Sequence, residues 1–484
     1  MLENLKPRKV FYYFEEICKI PHGSGNTKAI SDYIVSVAKE HHLEYVQDDV
    51  NNVIIYKNGS KGFENAEPIM LQGHMDMVCE KNFETNAKFD FEKDSLKIEI
   101  MDEYIHANGT TLGGDDGIGV AYMLAILTDD NLVAPPLECV FTVDEEVGME
   151  GAKALDYSLL KSKKLINLDQ EEEGIILTSC AGGRKAILSL PVSREEKTGI
   201  KFNIVICGLI GGHSGTEIDK YRGNANLFMG RVLHFLDNKI SYDLISLNGG
   251  LQDNAIPREC NAEILVAEKD VDKLEGYFAE IENTLRNEYH TVEKNMMIYC
   301  ENEGESSEKI IEKESAKRIL FLLMTLPDGV QRMSPNVENL VQTSSNVGIV
   351  KLSKEKFDVY ISIRSSITSE KEALATKIKF LVETIGGSYK EEGDYPAWEH
   401  RENSLLRDAT IETYRRVYNS DPQVMGIHAG LETGLFYQNI KDIDIISMGP
   451  QLYDIHTPKE RLSVPSVGRV YSHILELLRS QVES

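Results

Sequence analysis

The apolar run Pro68-Ile69-Met70-Leu71 ends in Gly73-His74-Met75-Asp76, and no other stretch narrows the folding choices as far. A short apolar run closed by polar residues reads as a buried strand. On extended backbone, residues two apart project to the same side, so His74 and Asp76 aim at one point. Asp76 is then placed to orient whatever His74 holds. Other strand-like runs end in the same kind of group. Asp115 and Asp116 sit in Leu112-Gly113-Gly114-Asp115-Asp116-Gly117-Ile118-Gly119, just ahead of a helical pattern. Glu145 and Glu146 follow the run from Leu137 to Val143, and Asp169 follows Leu165-Ile166-Asn167-Leu168. His456 comes after a strand and turn ending Ser447-Met448-Gly449-Pro450.

Strand-like and helix-like segments alternate through the first part of the chain. The pattern predicts a helix capped by Asn26, with Ile30, Tyr33, Ile34 and Val37 on its apolar face, then strands at 53–56 and 68–73. A hairpin at 96–107, a helix at 117–129, a strand at 137–143, a short helix near 151–160 and a strand at 165–168 follow. Such alternation implies an α/β domain, a mostly parallel sheet with helices on both faces, whose sites form at the carboxyl ends of strands. From about Gly183 the texture changes. Lys201-Phe202-Asn203-Ile204-Val205-Ile206 alternates, as a strand wetted on one face does. Helices near 223–237, 272–290 and 309–325 and strands near 261–267, 294–300 and 357–363 are expected there. Gly386-Gly387 and Gly393-Asp394-Tyr395-Pro396 read as a return linker. A helix at 403–418, a strand at 442–447 and a closing helix after Pro465 complete the chain. The simplest organisation is one domain inserted in another: residues 1–182 plus 398–484 outside, 183–397 inside.

Length supports two domains, since 484 residues exceed one ordinary core. With 52 Lys+Arg against 78 Asp+Glu, the net charge of -26 argues against nucleic acid or an anionic membrane as partner. Seven scattered cysteines without a Cys-x-x-Cys pair suggest neither a disulfide framework nor a thiolate zinc site. No basic-then-apolar leader is present at the start, and no window approaches the ~20 apolar residues of a membrane span. A cytoplasmic location is therefore expected.

Two histidines and several carboxylates, with no thiolate, suit zinc, manganese or cobalt. One carboxylate can bridge two ions about 3.5–4 Å apart, so three groups per ion need five residues. His74, Asp115, Glu146, Asp169 and His456 fill those places. Glu145, beside a ligand but pointing differently, is left as general base, and Asp76 as the partner of His74. Each element has a plainer explanation on its own. Asp115-Asp116 could serve a helix N-terminus, and Asp144-Glu145-Glu146 could be a solvated charge run, as Glu171-Glu172-Glu173 is taken to be. His41, His42, His106, His234, His290 and His473 are read as structural or exposed.

The segment Gln72-Gly73-His74-Met75-Asp76-Met77-Val78-Cys79-Glu80-Lys81-Asn82 resembles the signature of the aminoacyl-histidine dipeptidases, within the carboxypeptidase G-like di-metal exopeptidases. Further segments match in order: Leu112 to Gly119, Thr142 to Gly148, Asn167-Leu168-Asp169, Gly211-Gly212-His213-Ser214-Gly215, Asn254-Ala255-Ile256-Pro257, His428-Ala429-Gly430-Leu431-Glu432, and His456 to Arg461. Thr433 stands where a Cys would be expected, which bears on fine specificity only. The resemblance implies the di-zinc exopeptidase fold with an α+β lid, or dimerisation, domain: a four-stranded antiparallel sheet with helices on one face. It implies one ion on His74, Asp115 and Asp169, the other on Asp115, Glu146 and His456, most simply two zinc ions, with cobalt or manganese as alternatives. His213 would polarise the scissile carbonyl, and Asn254 and Arg364 would contact the substrate's C-terminal carboxylate. The implied activity is hydrolysis of dipeptides of the Xaa-His type, such as β-Ala-His and others, by water activated between the metals, with Glu145 as base. A homodimer formed through the lid is implied, with His213 reaching the partner's site and the lid hinging near 182–184 and 393–397. The alternatives are an N-acyl amino acid amidohydrolase on the same scaffold and a catalytically silent metal-binding protein.

Overall fold

The computed structural model describes residues 2–86 and 89–483. The chain divides into two compact units, Met1–Cys180 with Trp398–Gly426 and Leu431–Ser484, and Ala181–Ala397 with Ile427–Gly430. Each has its own apolar core. The second unit therefore includes six residues expected in the outer domain, Ala181, Gly182 and Ile427–Gly430. Its Ala181 N–H donates to the carbonyls of Ile427 (3.1 Å) and Ala429 (3.0 Å).

The first unit is α/β. Its eight-stranded sheet is parallel through the centre, where Leu137–Thr142, Ile69–His74, Lys164–Asn167 and Asp444–Ser447 lie side by side. Antiparallel strands flank this core: Glu44–Gln47 and Val53–Lys57 on one side, Ile175–Cys180 on the other. The strands Ile69–His74 and Leu137–Thr142 are buried throughout, as continuous apolar runs of a covered parallel sheet should be. The helix after Gly113 runs Gly114–Leu127 and is buried on every side, which its all-round apolar sequence requires. A separate four-stranded sheet carries the hairpin Ile98–Met101 with Tyr104–Ala107, paired onward to Arg461–Ser463 and then Leu452–Tyr453. His456 lies in the loop joining the last two strands.

Local differences from the sequence reading have identifiable causes. The helix Lys28–Glu40 starts after Thr27, not Asn26, because the Asn26 N–H closes a turn onto the Gly23 carbonyl (2.8 Å). The short helix near 151–160 is one turn, Glu150–Ala154, followed by the 3-10 turn Tyr157–Leu159. The expected return linker is instead the strand Ser388–Tyr395, paired antiparallel with Gly182–Pro191. Gly387 precedes the strand, and Gly393, at φ +59°, lies within it where the register shifts between Glu392 and Tyr395.

The inserted unit holds a nine-stranded antiparallel sheet, not a four-stranded one. Two long strands, Arg194–Cys207 and Met297–Ile311, pair over most of their length. The latter replaces a strand expected to stop near 300 and displaces the start of the following helix to Lys313. Val341–Leu352 and Lys356–Ser365 form the sheet's centre. Of residues 182–184 and 393–397, where a hinge was expected, 182–184 and 393–395 belong to this sheet. Arg184 binds Asp394 (2.9 Å), and buried Lys371 holds Asp394 and the Tyr395 carbonyl (2.7 Å each).

The chain leaves the first unit at Cys180 and re-enters it at Trp398. These two residues exchange backbone hydrogen bonds of 3.0 and 3.2 Å.

Candidate metal centre

Parallel strands ending together gather their terminal side chains. His74 closes the strand Ile69–His74, and the Glu145-Glu146 turn and Asp169 follow its two neighbours in the sheet. Asp115 stands at the non-helical entry of Gly114–Leu127 (φ -86°, ψ 109°). His456 adopts φ +59°, rare for a residue with a side chain.

The geometry centres on Asp115. Its Oδ1 lies 3.0 Å from His74 Nε2, and its Oδ2 lies 3.0 Å from His456 Nε2. His74 Nε2 also lies 3.4 Å from Asp169 Oδ1, and His456 Nε2 lies 2.8 Å from Glu146 Oε1. Ligand atoms of His74, Asp115 and Glu146 all fall within 4.8 Å of one another. One carboxylate thus faces two separate groups, each of one imidazole and one further carboxylate. His74 Nδ1 faces the Asp76 carbonyl at 3.0 Å and the Asp76 carboxylate at 3.5 Å, so its proton sits there and Nε2 is free to coordinate.

Electrostatics describe a cation site. Burial disfavours charge on His74, yet Asp169, Asp115 and Asp76 together raise its pKa well above the usual value. Hydrogen bonds to Asp115 and Glu146 push His456 up to about 11. Burial opposes ionisation of Asp115, but His456 and His74 hold it well below the ordinary carboxylate range. Asp169, buried among carboxylates, is driven well above it. Burial, joined by Glu432 and Glu146 against the opposing His74, lifts Glu145 to about 8. Carboxylates this close cannot all ionise unless positive charge is supplied, and the imidazole and carboxylate donors fit divalent ions.

Asp76 does more than face His74. Its carboxylate accepts from Ser24 Oγ (2.8 Å) and from the backbone N–H groups of Glu145 (3.1 Å) and Glu146 (3.4 Å). It fixes the turn that carries Glu145 and Glu146. Asp116 turns away: its Oδ1 accepts the Gly119 N–H (3.1 Å), the helix-terminus role open to it from sequence. Gly73 and Gly119 leave the space its carboxylate fills.

Several residues were not read from sequence. A buried polar chain lies behind these side chains. Ser447 Oγ donates to Asn167 Oδ1 (2.5 Å), Asn167 Nδ2 to Gln72 Oε1 (2.8 Å), and Gln72 Nε2 to Glu432 Oε2 (2.6 Å), which also accepts from Thr142 Oγ1 (2.6 Å). Gln72 and Asn167 each stand two positions before a candidate ligand, His74 and Asp169, which was the available signal. Glu171-Glu172-Glu173 is not a solvated run. Burial near Asp115 raises Glu171 to about 8, and Glu173 takes Arg469 (2.6 and 2.7 Å) and the Tyr418 hydroxyl (2.9 Å).

The remaining candidates lie in the inserted unit. His213, on the strand pair Gly212–His213 with Ala255–Ile256, is half-buried. Its Nδ1 accepts from the N–H groups of Thr216 (3.2 Å) and Gly215 (3.3 Å), which leaves the proton on Nε2. The Asn254 carbonyl accepts the Ser214 N–H (2.8 Å). Arg364 is buried on Lys356–Ser365; its Nη1 donates to Tyr395 Oη (2.8 Å), and its Nε has no partner. His428 Nε2 lies 2.7 Å from Ser344 Oγ, opposite Arg364 in the sheet register. Burial and then Arg364 lower the pKa of both histidines, His428 to about 3.

Peptidase family M20/M25/M40 matches residues 70–480. The chain belongs to that family. It is 38% identical over 480 residues to the cytosol non-specific dipeptidase of Escherichia coli K12, across 99% of this chain and 98% of the relative. The aminoacylhistidine dipeptidase of Vibrio alginolyticus has the same fold with a TM-score of 0.93 at 33% identity, covering 99% of this chain and 98% of that one. Aminopeptidase PepT of Bacillus cereus, 15% identical with a TM-score of 0.57 over 99% of this chain and 100% of its own, shares the fold. As an M20 member the chain is a hydrolase of peptide bonds. Among the described residues no helix is long and apolar enough to cross a membrane.

Proposed function

We propose that this M20 peptidase is a metal-dependent dipeptidase of broad specificity that includes Xaa-His substrates such as β-Ala-His. The observation that carries the reading is Asp115, whose two oxygens each meet a different histidine, beside a Glu145-Glu146 pair. His74, Asp115 and Asp169 would hold one divalent ion, and Asp115, Glu146 and His456 the other, zinc being the first choice for these donors. Such a pair would acidify water and polarise a carbonyl.

The protein's own groups do the rest. Glu145, no ligand in this scheme, accepts the proton of the attacking water and returns it to the leaving amine. Burial raises its carboxyl above the ordinary glutamate range. Asp76 keeps that turn in place. His213, a neutral imidazole with its proton on Nε2, donates to the developing oxyanion. Arg364, with Asn254, receives the C-terminal carboxylate; a buried guanidinium with an unpartnered Nε is suited to an anion. The inserted unit serves as lid and as the contact of a homodimer, and the enzyme works in the cytoplasm on small peptides, without nucleic acid or membrane as partner.

The test is a panel of dipeptides, β-Ala-His among them, and N-acyl amino acids. Each is assayed with apo-protein and after addition of zinc, manganese or cobalt. Metal-dependent cleavage of dipeptides is expected. Preference for acyl amino acids would transfer the reading to an amidohydrolase, and no turnover with any metal would refute it.

A further inference from the structure

The loop that presents Asp115 has little to hold it in place locally. Gly113, in the left-handed region at φ +67°, stands at the N-cap position, and no side chain there caps the helix. The N–H groups of Leu112, Gly113 and Gly114 need an acceptor. They find one 346 to 348 residues away: Glu460 Oε2 accepts from Leu112 (2.7 Å) and Gly113 (3.2 Å), and Oε1 from Gly114 (2.8 Å). Glu460 is only 3% exposed. A Cβ on Gly114 would come within 2.6 Å of Leu452 Cδ2 and 3.2 Å of Glu460 Oε1, so the backbone is moulded onto this carboxylate. At its other end Glu460 belongs to the His456 loop, where its N–H closes a turn onto the Thr457 carbonyl (3.0 Å).

We propose that Glu460 is a positioning residue for the metal centre, fixing Asp115 as the shared ligand by tying its loop to the loop of His456. The two loops carry the groups whose 3.0 Å contact joins the halves of the site. The three convergent donors ask for an acceptor with no proton of its own on either oxygen. A glutamine in the same space turns its NH2 onto at least one of them, whichever way the amide faces. Asp76 and Glu460 thus act in parallel, each holding backbone N–H groups of a turn that carries ligands. The proposal rests on the two-ion reading given above.

The experiment titrates apo wild-type, Glu460→Gln and Glu460→Asp with cobalt(II), read by visible absorption and calorimetry, with circular dichroism of each apo chain. Wild-type is expected to take two equivalents. Folded Glu460→Gln is expected to bind at least one of them about 10–100-fold more weakly, the usual cost of losing an outer partner. Excess metal should restore turnover with KM unchanged. Wild-type affinities for both ions in folded Glu460→Gln overturn the proposal. So does loss of the apo fold in both variants, which makes Glu460 a general packing residue. A wild-type chain that does not take two equivalents refutes the two-ion reading itself, and that arm separates the two failures.

Discussion

Two pairs of histidines in this molecule are shifted in opposite directions. His74 and His456, in the first unit, are raised by carboxylates; His213 and His428, in the inserted unit, are lowered by burial and by Arg364. Burial alone lowers a histidine, so the carboxylates of the first unit reverse its effect and the arginine of the second reinforces it. One unit assembles a demand for cations, the other a neutral donor beside a cation. Residue type does not distinguish the two roles; the sign of the surrounding charge does.

The largest expected effect separates base from ligand inside the first unit. Glu145→Gln should retain bound metal and lose about 10²–10⁴-fold in turnover, the range for a missing general base. Glu146→Gln should instead lower metal content, read by elemental analysis after dialysis. Near-normal turnover in metal-loaded Glu145→Gln breaks the assignment. Arg364→Met tests the second unit. A charge-assisted contact is worth about 1.5–3 kcal/mol, so kcat/KM on dipeptides should fall roughly 10–100-fold. C-terminally amidated substrates should be poor for the wild-type and little changed by the mutation. The His428 pKa, followed by NMR, should rise from about 3 yet stay below the usual histidine value, since burial remains. An unmoved His428 would mean the arginine does not set the contrast.

Stability should respond to pH in opposite senses at one buried group in each unit. Burial lowers His473, between Thr410 and Thr413, to about 4. The unfolded chain takes up that proton at about 6.5, so stability is lost as pH falls from 6.5 towards 4. Asp328, buried and accepting from Val347 N–H and Asn224 Nδ2, is raised to about 6. Its contribution is complete below 3.9 and is lost as pH rises through 6. His473→Gln should remove a rise of stability with pH between 4 and 6.5, and Asp328→Asn a fall between 3.9 and 6, each by an amount on the order of 2–3 kcal/mol. Denaturant midpoints from pH 4 to 7 report both; parallel slopes in the two variants would erase the contrast. The smallest effect is at Ser24. Ser24→Ala removes one donor to Asp76, worth about 1 kcal/mol, and should slow turnover a few-fold without loss of metal.

The positions of His74, Glu146 and Asp169 were legible because strand ends announce themselves: apolar residues run out and a polar one follows, whereas Asp115 stands at a helix entry and His456 in a loop between two short strands. The same rule exposed the α/β core. It gave no access to Glu460 or Glu432, whose partners are backbone N–H groups and amides from distant segments, and whose acidity looks like ordinary surface charge in a chain of net charge -26. The inserted sheet was read too small because its outer strands, such as Met297–Ile311 with its many glutamates, alternate between exposed and half-buried positions and carry few apolar residues. Ser388–Tyr395 was missed for the same reason: it pairs through its backbone while its side chains face water.

The chain has a single tryptophan, Trp398, 2% exposed and hydrogen-bonded to Cys180 across the crossing where the polypeptide departs from the first unit and comes back. Indole emission from the unlabelled protein therefore originates at one address. A red shift on heating or in denaturant would date the moment when that crossing admits water, apart from the melting of the inserted sheet, which contributes only tyrosine and phenylalanine light. Excited at the red edge of its absorption, the enzyme carries its own optical clock for the order in which its two cores come apart.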